Sequence, residues 1–175
     1  RGRSGRLSVG INTMPVYDKR YGCDPDDDNY RVYVDKIVEL TKRLTGRDAD
    51  VRFFSTQPKD DNVADDVMAI LNDGRVTAVR CDTAETNHVL LLLNTICSFD
   101  IVFATRFHGS LLSLVLEKPV IAISYHKKIA SLMNEMGQSQ YAMVFEDVTV
   151  DQLEKKFIAL VDERSQATER IRLAN

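Results

Sequence analysis

The sequence offers no means of pairing its cysteines. Cys23, Cys81 and Cys97 are odd in number, widely spaced and without a C-x-x-C pair. That pattern argues for a reducing compartment and against a disulfide framework or a zinc site, and no metal is called for. Long apolar runs are missing too: "VLLLL" and "SLLSLVL" fall far short of the roughly 20 residues a membrane span needs. No signal peptide is visible in "RGRSGRLSVGIN", which reads as a linker (residues 1–6) running into a strand. No G-x-x-x-x-G-K-[ST] occurs, and "RGRSGR" does not fit G-x-G-x-x-G, so ATP and NAD binding lack support. An excess of positive charge is also absent, with 23 Lys+Arg against 26 Asp+Glu and a net charge of −3. This argues against a nucleic-acid partner. The acidic run "CDPDDDNY" lacks the Gly and terminal Glu of a calcium loop and reads as a solvated loop entering a helix.

What is present is a chain of 175 residues, 44% hydrophobic and 28% charged. That suits one well-buried domain and is too short for two ordinary ones. The pattern alternates between strand and helix. Strands are read at 6–12, 50–55, 75–81, 100–105 and 119–124, and "YAMVFED" reads as a short last strand or extended segment. Helical stripes fall between them. The first runs from Tyr30 through Val34, Ile37, Val38 and Leu44, with Gly46 as a C-terminal stop. The second carries Val63, Val67, Ile70 and Leu71, with Asp60 and Asp61 favourable to its dipole and Gly74 just past its end. "TNHVLLLLNTICSF" reads as a mostly buried helix with Thr86 as a cap, and 108–118 and 127–137 as two more. One helix closes the chain on Val150, Leu153, Phe157, Leu160 and Val161. Strands four and five are continuous apolar runs, as in sheets covered on both faces. The fold class is therefore α/β: a doubly wound, mainly parallel sheet in a three-layer Rossmann-like domain.

Against this background, residues 104–128, "ATRFHGSLLSLVLEKPVIAISYHKK", reverse the local sign of charge. They hold two of the three histidines and four Lys+Arg against one acid, Glu117. In such folds ligands bind at the carboxyl ends of strands, near the following helix N-termini. Thr105, Arg106, Phe107 and His108 end the fourth strand, and Gly109 lets backbone approach closely. Ser124, Tyr125, His126, Lys127 and Lys128 end the fifth. Neighbouring sequential strands would let the two clusters converge. A helix N-terminus, an arginine fork and a lysine charge together would receive a phosphate or carboxylate. Taken alone, an arginine at a strand end commonly forms an ion pair, and a histidine by an apolar helix is commonly structural. His88, before the third helix, reads as structural. Asn12 and Thr13, ending the first strand, are candidates for touching ligand or for capping.

The segment "ATRFHGSLLSLVLEKPVIAISYHKKIASLMNEMG" resembles the signature of the polysaccharide pyruvyl transferase family: R-x-H-(G/A), a small-to-apolar helix, P-V-I-x-I-S-Y, then a lysine and a Met-rich helix. "SVGIN", "VRFFS" and the "DD" before the second helix follow the family's order. The family is similar in architecture to glycosyltransferases with two facing Rossmann-like domains (GT-B). The resemblance implies that residues 1–175 are a single C-terminal, donor-side domain. Its N-terminal partner would lie outside this chain, the final helix would pack partly against that partner, and this half alone would be inactive. It also implies a cytoplasmic transferase, peripheral at the inner face of the plasma membrane if membrane-associated. Without a cofactor, it would transfer pyruvate from phosphoenolpyruvate as a ketal to a sugar or lipid-linked oligosaccharide, for capsule, exopolysaccharide or cell-wall polymers. Arg106 matches the family's anion-gripping arginine and His108 its acid/base histidine. The Phe107 and His108 amides would add donors, and Lys127 or Lys128 matches the downstream lysine, with Y-x-x-K spacing from Tyr125 favouring Lys128. His126 falls outside the pattern. The expected geometry is Arg106 and His108 projecting into one anion-receiving crevice beside a lysine. Two alternatives remain: a GT-B glycosyltransferase domain taking a sugar nucleotide, and a non-catalytic ligand-binding or interaction module.

Overall fold

The computed structural model describes residues 5–21, 25–81, 87–124 and 127–175. Six strands form one parallel sheet: β1 (Leu7–Asn12), β2 (Ala49–Phe54), β3 (Val76–Val79), β4 (Ile101–Ala104), β5 (Val120–Ser124) and β6 (Ala142–Val144). Their order is β3-β2-β1-β4-β5-β6. This is the doubly wound arrangement, in which the chain reverses direction across the sheet between β1 and β4 and leaves a crevice at their carboxyl ends. The register there sets Asn12 beside Ala104. β4 and β5 are neighbours, in register from Val102↔Val120 to Ala104↔Ala122. The helices are α1 (Asp27–Gly46), α2 (Asp61–Leu71), α3 (His88–Cys97), α4 (Phe107–Val115), α5 (Lys127–Glu135), α6 (Val150–Asp162) and α7 (Arg164–Ala174). α1 packs beside α2 and α6, while α4 packs beside α3 and α5. Every residue of β4 and β5 is buried, which is why they read as unbroken apolar runs.

Several boundaries differ from the pattern reading, each for an identifiable reason. α1 begins at Asp27 because Asp26 in the acidic loop accepts the backbone N–H groups of Asp28 and Asn29, a side-chain cap that an apolar stripe does not reveal. The left-handed residues that end α1 and α2 are Asp48 (φ 63°) and Asn72 (φ 45°), not Gly46 or Gly74. Gly137, at φ 64°, does take that role after α5. The closing segment is two helices, interrupted at Glu163, whose φ and ψ of −98° and 11° leave the helical region. Phe157 of α6 stacks on Phe103 of β4 at 6.0 Å, and Ala167 and Ile171 of α7 are fully buried, so both helices have partners within this domain. α3 is less buried than its composition suggests. Val89, Leu90 and Leu91 are half-exposed, because only its second half is buried, at Thr95 and Ile96. Thr86, the expected cap, lies outside the described residues.

Gly10 lies in the middle of β1 because Phe99 lies flat against it. A Cβ there would stand 2.5 Å from Cε2 and 2.9 Å from Cγ of that ring. No helix among the described residues is long and apolar enough to cross a membrane.

Candidate active site at the carboxyl ends of β1 and β4

A seam of buried polar groups ties three strand ends together at the switch point. The Asn12 carbonyl accepts both the N–H and the hydroxyl of Thr105, at 3.0 and 3.1 Å. The Asn12 side-chain amide donates to the Phe54 carbonyl at 2.9 Å, and the Thr13 hydroxyl donates to the Asp60 carbonyl at 3.5 Å. Asn12 is fully buried, and Gly109 in the first turn of α4 lies directly over it. A Cβ on Gly109 would stand 2.7 Å from Asn12 Cγ and 3.2 Å from its Cβ, with the amide oxygen closer still. Asn12, which the sequence offers for touching ligand or for capping, thus fills the space that Gly109 leaves. The close approach that glycine permits is that of a helix to a strand end.

Arg106 is the N-cap of α4, in extended conformation (φ −96°, ψ 144°), and offers the helix no side-chain acceptor. Its guanidinium is paired internally. Nε donates to Asp60 Oδ1 at 2.6 Å and Nη2 approaches the same oxygen at 2.5 Å. The arginine side chain is 10% exposed and the aspartate 0%. With its amide oxygen turned inward, Gln57 accepts from the same guanidinium, from Nε at 3.0 Å and from Nη1 and Nη2. The ring of Tyr21, on the loop after β1, covers the guanidinium with 5.6 Å from Cζ to centroid. Lys59 Nζ stands 5.3 Å from the same ring. The open fork expected of Arg106 is thus a clamped one.

The sequence pattern places Asp60 at the start of α2, where it favours the dipole. It also ends a 3-10 turn (Pro58–Asp60), reaching back to accept the N–H groups of Thr56 and Gln57 and the Thr56 hydroxyl, at 3.2 to 3.3 Å. Burial pushes its carboxyl pKa up, while the bonds and charge of Arg106 and the Thr56 donors pull against that rise. The signal for this role was present in the sequence: Pro58 opens the turn and Asp60 sits where an N3 residue reaches back to the cap. Gln57 and Tyr21 carried no pattern that would have singled them out.

His108 follows in the first turn of α4. It is exposed, with its ring against Phe107 at 5.8 Å in an edge-on arrangement, and Phe107 is itself partly exposed. At the neighbouring strand ends, a cavity of about 240 Å³ opens where α5 meets the carboxyl ends of β5 and β6. It is lined by Ser124, Lys127, Ala130, Met143, Val144 and Glu146 among others. Lys127 stands on its wall, while Lys128, also exposed, is not among the described lining residues. Tyr125 and His126 lie outside the described residues. Among those described, no group of three or more His, Cys, Asp or Glu is arranged to hold a metal ion.

Chemically, the arrangement offers an uncapped helix N-terminus at a topological switch point, the usual place for an anion in this fold. An imidazole projects beside it, and a pre-clamped guanidinium lies beneath.

Comparisons with known proteins bear on the fold and the family. Among solved structures, a mutant of the Thermobaculum terrenum O-GlcNAc transferase is similar, with a TM-score of 0.63 at 16% identity over 99% of this chain. At that identity the likeness is one of fold, as anticipated from the GT-B type of architecture. This chain spans 32% of that protein's length. No curated protein matches the sequence. A family model described as polysaccharide pyruvyl transferase matches residues 8–127, from the second residue of β1 to the first of α5, well over half of the sequence. The chain belongs to the polysaccharide pyruvyl transferase family.

Proposed function

We propose that this domain binds phosphoenolpyruvate at the carboxyl ends of β1 and β4 and serves its transfer, as a ketal, to a pair of sugar hydroxyls of a polysaccharide precursor. The observation that carries this reading is His108, exposed in the uncapped first turn of α4 and two residues from Arg106. The donor brings a phosphate and a carboxylate on a three-carbon enol. The N–H groups opening α4 and the edge of Arg106 suit one anion; Lys127, in the first turn of α5, suits the other.

In the reaction His108 as imidazolium donates a proton to the methylene carbon, which becomes the methyl group. The oxocarbenium-like C2 is attacked by one sugar hydroxyl, and the C–O bond to phosphate breaks. The second hydroxyl then closes the ketal, and the two hydroxyl protons replace the one donated and neutralise the departing phosphate. Fixed dipoles at the helix start stabilise charge without reorganising.

The test uses the intact protein. His108→Ala removes an exposed side chain, so stability should change by no more than about 0.5 kcal/mol. Ketal formation should fall by about 10²- to 10⁴-fold, the usual contribution of a positioned acid or base. Wild-type turnover in that variant would refute the assignment. Thermal shifts with phosphoenolpyruvate, UDP and GDP decide the donor, since a ligand at 100 times its Kd adds about 2.7 kcal/mol. A response to UDP alone would replace this reading with glycosyl transfer.

A further inference from the structure

We infer that Asp60 is a positioning residue for the reaction: it fixes the guanidinium of Arg106 in the orientation that receives the donor's anion, with Gln57 as the second jaw of the clamp. The inference rests on the proposed donor site and deepens it. Three observations carry it.

First, the clamp is one-sided. Asp60 takes Nε and Nη2 through a single oxygen, Oδ1, while Oδ2 is engaged by the N–H groups of Thr56 and Gln57. The carboxylate is therefore held by its own loop and does not follow the arginine. Second, Gln57, from the same turn, accepts across the guanidinium, and Tyr21 covers its face. The terminal bonds of Arg106 are thus restrained by Asp60 along one edge and by the contacts of Gln57 and Tyr21, leaving a side chain that is 10% exposed. Third, the clamp comes from the β2–α2 connection, whereas the clamped group and His108 come from the β4–α4 connection. They meet where β1 separates the two strands, at the switch point itself. A buried ion pair is weak as a source of stability, because desolvation offsets most of its attraction. A pair that keeps one planar donor group fixed at a strand-end crevice has a use that stability alone does not supply.

The experiment uses the intact protein and the variants Asp60→Asn, Arg106→Lys and the double variant, each shown folded by its thermal midpoint. Phosphoenolpyruvate affinity is measured by titration calorimetry. Asp60→Asn keeps the side-chain shape but frees the guanidinium, and should weaken binding by about 10²-fold, the scale of a one-ångström misplacement. The double variant should bind no more weakly than Arg106→Lys alone, because Asp60 acts only through the arginine; a merely structural aspartate would give additive losses.

Wild-type affinity in Asp60→Asn, with Arg106→Lys weakened, overturns the positioning role and leaves the donor site standing. Wild-type affinity in both Arg106→Lys and His108→Ala overturns the donor site itself. Should Asp60→Asn not fold, Gln57→Leu removes the second acceptor and leaves every bond of Asp60 in place. It should weaken binding by about 10-fold, and unchanged affinity there would overturn the inference.

Discussion

Replacing Gly109 with alanine should destabilise the fold although it installs a better helix former, and the size of the loss follows from Asn12. The new Cβ would sit 2.7 Å from Asn12 Cγ, well inside van der Waals contact, so one of two groups must move. If α4 lifts from the strand end, the cost is that of overpacking, about 1–3 kcal/mol. If Asn12 swings away, its bond to the Phe54 carbonyl is lost and two buried polar groups lose their partners, again about 1–3 kcal/mol. The gain in helix propensity, about 0.5–1 kcal/mol, only partly offsets either. The net expectation is about 1–2 kcal/mol, visible as a fall in urea midpoint of roughly 0.5–1 M at an unchanged slope. The cause can be isolated by repeating the substitution in an Asn12→Ala background, where the obstructing amide is gone, only the 3.2 Å contact with the Cβ of residue 12 remains, and the loss should be much smaller. Gly109→Ala at wild-type stability, or a loss of equal size in both backgrounds, would refute the reasoning.

Three further outcomes follow from the same structure. Gly10→Ala should cost about 1–3 kcal/mol by overpacking against Phe99, and Phe99→Leu in the same chain should recover part of it in denaturant titrations. Arg106→Ala should lower stability by about 3–5 kcal/mol, because it leaves Asp60, 0% exposed, without its counter-charge; calorimetry should show partial recovery when Asp60→Asn is added. Burial pushes the Asp18 carboxyl up, yet the hydrogen bonds and charge of Arg20, with Asn62, hold it below the ordinary carboxylate value. A depressed folded-state pKa contributes stability that is present above the unfolded value of about 3.9 and is lost as pH falls through the folded one. Acid unfolding followed by circular dichroism should therefore lose this contribution only below about pH 4. In Asp18→Asn that part of the acid limb should flatten, and an identical acid limb in the two proteins would count against the pairing with Arg20.

The fold was legible because its signals are local. β4 and β5 announce themselves as unbroken apolar runs, and the helices between strands carry 3.6-residue stripes that the structure buries at positions such as Val34, Ile37, Val63 and Leu153. Even the candidate site was marked by one continuous stretch, 104–128, whose charge stands against that of the chain. What the sequence could not convey was partnership across distance. Asp60 looks like any acid at a helix start, and only the strand order brings it to Arg106, 46 residues away. Asn12 looks like a cleft residue until Gly109 is laid over it. The break at Glu163 and the exposed start of α3 depend on where the sheet ends, which no stripe records.

The internal pairing of Arg106 also changes how the charge reversal in 104–128 should be understood. Counted along the sequence, the stretch holds four cations and one anion. In space, the carboxylate of Asp60 cancels the arginine and Glu146 shares a cavity wall with Lys127, so much of the excess disappears. If phosphoenolpyruvate is the donor, as proposed above, long-range attraction of its carboxylate and phosphate would be modest, and selectivity would fall to short-range directed bonds from the N–H groups that open α4, a planar guanidinium and one ammonium group. Directed donors in a partly desolvated crevice discriminate by geometry, where a pool of mobile lysines would attract any anion. A site built this way should lose little affinity for phosphoenolpyruvate between 50 and about 200 mM salt, since screening acts mainly on exposed, separated charges. A steep salt dependence of that affinity in the intact protein would mean that diffuse positive charge, and not the clamped arginine and the helix start, holds the donor.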